Sequence, residues 1–221
     1  MTYSLGRIHA PDARDTNYSV KALLLAAPAA PITKLYKYWW DNGWWGDQQD
    51  TPQCVAYAWT HWLEDGPIQQ TSTPPPVIQP EVLYHAAQLV DEWPGTNYDG
   101  TSVRAGAKVL QTKGFIKNYH WATNVEEAVN ALLALGPVVV GTNWYSGMFE
   151  PIHDVIYPTG QIAGGHAYVL NGVNLKRGLV RVKNSWGKSW AGDGRVWMEI
   201  ETLEKLINED GEVCLATEIK K

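Results

Sequence analysis

Cysteine is scarce in this chain: of 221 residues only Cys54 and Cys214 carry a thiol. That excludes the disulfide framework of small secreted domains and suits a reducing compartment, although one bridge between the two is compatible with the sequence. Phenylalanine is equally rare, with two residues against 12 Trp and 11 Tyr. Such amphipathic rings suit core positions and also cleft walls that hydrogen-bond at one edge. No apolar run approaches the roughly 20 residues that span a bilayer. Charge of one sign is never concentrated: the formal net charge of −5 is spread over interspersed acids and bases, so no basic face is offered to a phosphate backbone. Neither nucleic acid nor a membrane is an expected partner, and a soluble, cytoplasmic protein is the expectation. The segment Ala22 to Ile32 imitates a signal peptide, but it follows Asp12, Arg14 and Asp15 rather than a short basic leader and reads as a connector.

At this length one catalytic unit with a substantial core is expected. Residues 1–31, with Pro11 and the Ala/Pro stretch Ala26 to Pro31, have the composition of an arm or short leader. A helix is predicted from Thr51 to Gly66, with Asp50 or Thr51 as cap, Pro52 in the first turn, and Val55, Ala58, Trp59 and Trp62 at helical spacing. The Pro-rich piece Thr71 to Pro80 is a loop, Pro80 opens a helix through Glu92, and Thr101 or Ser102 starts another that ends before Gly114. Thr123 and Glu126 form a capping box ahead of a helix closed by Gly136-Pro137. Beyond it, Val138–Tyr145, Gly165–Asn174, Gly178–Asn184, Arg195–Ile200 and Val213–Ile219 are short β-rich runs. A helical lobe over about 45–135 and an antiparallel sheet or barrel over about 136–221 follow, with a cleft between them.

The chemistry rests on a few words of sequence. Cys54 falls at a predicted helix N-terminus, where the partial positive charge of unpaired backbone N–H groups favours the thiolate that nucleophilic attack requires. A lone cysteine is more often a small core residue, so its surroundings decide. Upstream lies Asp47-Gln48-Gln49-Asp50-Thr51-Pro52-Gln53; downstream come Gly164-Gly165-His166-Ala167 and Asn184-Ser185-Trp186-Gly187.

In this order of glutamine, cysteine, histidine and asparagine, the chain resembles the papain-like cysteine peptidases over roughly residues 32–221. The resemblance implies an α+β, papain-like two-lobe fold, an N-terminal helical lobe facing a β-barrel-like C-terminal lobe, and a cysteine peptidase cutting through a Cys54 acyl-enzyme. It assigns His166 as general base and acid, Asn184 as the group orienting its ring, Gln48 with the Cys54 N–H as oxyanion donors, and Trp186 as the cover over the His–Asn bond. Gly100 and Thr101 would pair with substrate backbone, with Gly165 near them. Ser102, Val103, Gly141 and Ala167 would line an apolar side-chain pocket. No cofactor is implied, and the remaining histidines show no metal-ligand spacing. Peptides or proteins are the expected substrates, and a protein inhibitor is a further partner such a cleft can take. The same triad also serves cell-wall peptide hydrolysis or acyl transfer, and a catalytically weak peptide-binding homologue is the non-enzymatic alternative.

The chain departs from the family pattern at Thr51, where many relatives carry a cysteine, at Gln49 and Pro52, where glycines are usual, and at Val55. The residues ahead of the catalytic segment are too few for a long helical propeptide and resemble the short arm of bacterial-type members, so latency through a large prodomain is not expected.

Overall fold

The computed structural model describes residues 3–26, 35–39, 44–68 and 75–219. Its helices are α1 (Val20–Ala26), α2 (Cys54–Asp65), α3 (Pro80–Gln88), α4 (Val103–Thr112), α5 (Val125–Ala134) and α6 (Ile200–Asn208). Its strands are β1 (Tyr36–Tyr38), β2 (Ile116–Ala122), β3 (Val138–Tyr145), β4 (Ile162–Asn174), β5 (Leu179–Lys183), β6 (Arg195–Glu199) and β7 (Glu212–Glu218).

The strands pair antiparallel in the order β2-β7-β3-β4-β5-β6, with β1 on the far end of β4. This sheet is open, which corrects the expectation of a barrel-like lobe: β2 and β6 lie at opposite ends of the order and do not pair. Side chains alternate across a strand, and β3 shows the consequence. Val138 and Val140 enter the core shared with α5 and α6, whereas Val139 enters the core shared with α2, α3 and α4. Likewise on β4, Tyr168 and Leu170 face the first core, Ala167 and Val169 the second. The sheet is thus a wall between two apolar layers.

The five runs expected to be strands are all strands, within a few residues at their ends. Two strands and two helices were not anticipated. β2 has exposed polar residues in its middle and is held by β7 far along the chain, so tertiary pairing overrides a weak local pattern. β1 is only three residues long and owes its form to β4. α6 buries Leu203 and Leu206 and exposes Glu201 and Glu204, an amphipathic signal that was legible. α1 occupies the front of the supposed connector, whose remainder lies outside the described residues. α3 stops at Gln88 rather than Glu92. The cap of α5 is Asn124, whose side chain accepts from Glu127 N–H, while Thr123 N–H donates to Glu127 Oε2. The cap therefore sits one residue beyond its predicted place, and Glu127 takes the N–H of the residue before the cap instead of closing a capping box. In α2 the cap is Gln53, without a side-chain hydrogen bond, so neither Asp50 nor Thr51 serves.

The C-terminal end of α2 is tied to the sheet by a buried ion pair, Lys183 Nζ to Asp65 Oδ1 at 2.6 Å, with Asn171 Nδ2 donating to Asp65 Oδ2 at 2.7 Å. Both charged side chains are fully buried. Lys183→Met is expected to destabilise the protein by about 3–5 kcal/mol, because it strands the Asp65 carboxylate away from water. The urea midpoint against the parent measures this, and an unchanged midpoint refutes it.

Candidate active site

Cys54 is the first residue of α2 and is buried against β4. His166 stands on β4 opposite Thr142 of β3, and Asn184 follows directly after β5. Elements from distant parts of the sequence are thus brought together: the Ala167 N–H, next to His166 on β4, reaches the Cys54 thiol, and Asn184 after β5 bonds the His166 ring.

The hydrogen bonds determine the state of the imidazole. Asn184 Oδ1 accepts from the Ser185 backbone N–H at 2.8 Å, so it is an acceptor, and His166 Nε2 lies 2.8 Å from the same oxygen. Nε2 must then carry the hydrogen, and Nδ1 holds a lone pair. Among the described residues Nδ1 has no hydrogen-bond partner. The ring is boxed by Trp186, stacked at 4.7 Å between centroids, and by Trp144, edge-on at 4.8 Å. Trp186 is itself covered by Tyr3 at 4.7 Å and Phe149 at 5.4 Å. This aromatic box keeps water from the His–Asn bond, which strengthens it electrostatically. Burial also holds His166 at a pKa of about 4, against a smaller upward pull from Asn184.

The thiol meets opposing influences. Burial pushes its pKa up to about 12, outweighing the N–H groups of Ala167, Val55 and Cys54 itself, which favour the anion. In this covered state Cys54 is a neutral thiol and His166 a neutral imidazole. The N–H groups at the helix N-terminus pull the thiol pKa down, but the cost of desolvating the anion outweighs them and the net shift is upward, contrary to the sequence expectation. Cys54 and Cys214 are both free, so no bridge joins them.

Gln48 is clamped through both ends of its amide. Its Oε1 accepts from Ser185 Oγ at 2.6 Å, and its Nε2 donates to Thr51 O at 2.7 Å and to Ser4 O at 3.2 Å. The loop is anchored by Gln48 N–H to Ser185 O at 2.8 Å. Gln49, in place of a glycine, nevertheless adopts φ +52, the left-handed region glycine favours.

What buries the site is the chain's own arm. Gly6 and Arg7 N–H both donate to Gly165 O, at 3.1 and 3.0 Å; Ile8 N–H donates to Thr101 O at 2.9 Å, and Thr101 N–H to Gly6 O at 3.0 Å. The Ser4 carbonyl takes up the Gln48 amide and the Trp186 indole N–H, the latter at 3.2 Å. Further along, Arg104 Nη1 donates to Ala10 O at 2.7 Å and its other nitrogen pairs with Asp15. The strip expected to receive an extended peptide thus receives residues 6–8 of this chain.

The other anticipated residues fall as follows. Gly100, Thr101, Gly165 and Trp186 contact the arm, and Val103 and Gly141 stand beside the Arg7 side chain. Ala167 pairs with Gly141 and directs its N–H at the thiol. Ser102 is different: its hydroxyl caps α4 and donates to Glu92 at 2.8 Å, a local structural role. Sequence reasoning missed Trp144, Ser185, Arg7 and Glu212; only Ser185, inside the Asn-Ser-Trp-Gly word, carried a local signal. Among the described residues no group of three or more His, Cys, Asp or Glu could hold a metal ion, and no helix is long and apolar enough to cross a membrane.

An open antiparallel sheet, a helix opening on a buried cysteine and a histidine held by an asparagine define a thiol-protease scaffold. The sequence profile of the papain family of cysteine proteases matches residues 53–214, well over half of the chain, and the chain belongs to that family. Among solved structures it is similar to xylellain, a cysteine protease from Xylella fastidiosa, at TM-score 0.75 and 19% identity, covering 100% of this chain and 98% of that one. It is also similar to the digestive procathepsin L2 proteinase of Tenebrio molitor larval midgut, at TM-score 0.72 and 18% identity, covering 97% and 78%. No match was found among curated protein sequences. The protein is a papain-family cysteine protease, a hydrolase whose substrates are peptides or proteins.

Proposed function

We propose that Cys54 is the nucleophile, that His166 Nδ1 takes its proton and later delivers it to the leaving amine, and that Asn184 holds the ring in the Nε2–H tautomer. The observation that carries this reading is the buried Nδ1 lone pair, unpartnered while Nε2 is bound to Asn184 at 2.8 Å. The thiolate attacks the peptide carbonyl, the amine leaves with the proton, and water activated by the neutral imidazole releases the acyl group. Gln48 Nε2 and the Cys54 N–H serve as donors to the oxyanion. What supports Gln48 is that a backbone carbonyl, Ser4 O, already lies on its amide nitrogen. Gln48→Ala is expected to lower kcat by roughly 10²–10³-fold with the Cys54 alkylation rate little changed; an unaltered kcat assigns the donor elsewhere.

Residues 1–31 act in this reading as an arm on a catalytic unit spanning 32–221, and the arm keeps the enzyme latent. Support comes from its hydrogen bonds to Gly165 and Thr101 and from Tyr3 lying over Trp186. Active-site labelling followed by peptide-library cleavage tests nucleophile and activity together. If the full chain and an arm-released variant both leave Cys54 unlabelled and peptides uncut, the reading is wrong.

A further inference from the structure

The outer face of β1, β5 and β6 carries a concavity that the peptidase reading does not use. Antiparallel pairing aligns Tyr38 of β1, Gly172 of β4, Arg181 of β5 and Trp197 of β6 in one row across four strands. Alternation turns Val180, Val182, Val196 and Met198 into the core, so Arg181, Arg195 and Trp197 face outward. Because position 172 is glycine, the Tyr38 ring lies down on the sheet: a Cβ there would stand 2.7 Å from Tyr38 Cδ1. That ring meets Trp197 edge-on at 5.9 Å and Tyr36 at 6.0 Å. Tyr36 and Tyr38 are exposed and Trp197 is half-buried, so the three form a solvent-facing aromatic row.

Beside Trp197 this face dips into a cavity of about 380 Å³, whose lining includes Asp154, Arg181, Gly192, Asp193 and Arg195. Two turns form its rim. Ile152 and Val155 exchange backbone hydrogen bonds at 2.9 and 3.0 Å around His153-Asp154, at φ +50 and +62, and the turn Trp190–Gly192 holds Ala191 at φ +52. Three of the five non-glycine residues with left-handed φ among the described residues therefore frame this one cavity, and such strain collects where a surface is shaped for use. Asp193 fixes Arg195 through Nε and Nη2, at 3.1 and 2.5 Å, and Arg181 Nε donates to Asn171 Oδ1 at 2.8 Å. The exposed Asp154 carboxylate makes no hydrogen bond or ion pair among the described residues.

We propose that this face is a carbohydrate-binding site for a neutral β-linked glycan: one sugar enters the cavity beside Trp197, and its neighbours lie along Tyr38 and Tyr36. Two arginines and two aspartates line the cavity, so its formal charge is zero; a phosphate would meet the carboxylates and a cation the guanidiniums. It suits an uncharged ligand whose hydroxyls donate to a carboxylate or accept from a guanidinium and whose flat C–H faces rest on aromatic rings. An extended β-linked chain keeps successive sugars on a row of rings, whereas an α-linked chain curls away. The use of the site rests on the peptidase reading. Trp190, which opens one rim turn, packs on Trp186 at 5.1 Å, the indole over His166, so a glycan held here concentrates its attached peptides near the cleft.

The test uses the full chain bearing Cys54→Ala, which reads the glycan site whatever the fate of the peptidase mechanism. Calorimetric titration compares cellotetraose, chitotetraose and maltotetraose, with inorganic phosphate as a competitor. At least one of the two β-linked tetrasaccharides is expected to bind, maltotetraose to bind more weakly, and phosphate not to compete. Trp197→Ala is expected to lower the affinity by about tenfold or more. Asp154→Gly, which suits the left-handed φ, is expected to lower it by about fivefold. Should Trp197→Ala fail to fold, Tyr38→Ala and Asp154→Gly, both at exposed positions, carry the same test. Absence of binding at millimolar sugar, equal affinity for maltotetraose, competition by phosphate, or affinity unchanged in the variants overturns the assignment.

Discussion

Replacing His166 with alanine is expected to lower peptide turnover by roughly 10⁴-fold. In the proposed mechanism the imidazole has two duties: it removes the thiol proton and protonates the departing amine. Among the described residues its ring contacts are Trp144, Tyr168 and Trp186 and its hydrogen bond is to the Asn184 amide, none of which takes up a proton near neutral pH. Turnover on a peptide identified by library profiling measures the effect. Alkylation of Cys54 reads the first duty separately and is expected to slow as well. Since His166 is fully buried among aromatic rings, a melting curve of the variant is needed to show that the fold survives. A folded His166→Ala protein with turnover within tenfold of the parent would remove the imidazole from the mechanism.

Gly6→Val is expected to raise the rate of Cys54 alkylation at neutral pH by about 10²-fold or more. A Cβ at position 6 would lie 2.2 Å from the Pro52 carbonyl oxygen and 2.6 Å from its carbon. Both obstacles are backbone, so the arm must lift. Its departure removes the burial that pushes the Cys54 pKa to about 12 and leaves the helix N-terminus and imidazole to favour the anion. The sign follows directly: a thiol raised to about 12 is protonated throughout the neutral range, and its thiolate fraction grows roughly tenfold per pH unit below that value. Parent alkylation should therefore climb steeply from pH 7 to 10, and that of Gly6→Val should be faster and flatter. Mapping the label separates Cys54 from Cys214, which lies in the core with its thiol held well above the ordinary range. Equal rates and parallel pH profiles would mean that residues 3–10 do not gate the site.

Much of the site was legible because its residues sit in short local words. Cys54 precedes a helical period closed by Gly66, His166 lies in a glycine-flanked strand, and Asn184 follows a β-rich run, each recognisable within a dozen residues. The Arg7–Glu212 pair was not, since its members are 205 positions apart and neither carries a local pattern that distinguishes it from a surface charge. Trp144 was equally silent: one tryptophan among 12 declares its place against His166 only once β3 and β4 are paired. The expected barrel failed for a related reason. Alternating apolar residues specify strands, but whether the outer strands meet depends on where β2 and β6 are carried by the rest of the chain.

The order of residues alone decided which side chains are candidates for chemistry, that Cys54 stands near the start of a helix and how the main strands are patterned, because these follow from covalent neighbours and from the 3.6 and 2 residue periods. Tertiary structure decided their protonation and their access. Desolvation, not the helix terminus, governs the covered Cys54 thiol, and the occupant of the cleft turned out to be the chain's own arm. Both depend on what distant segments bring within a few ångströms, where burial and charge act most strongly.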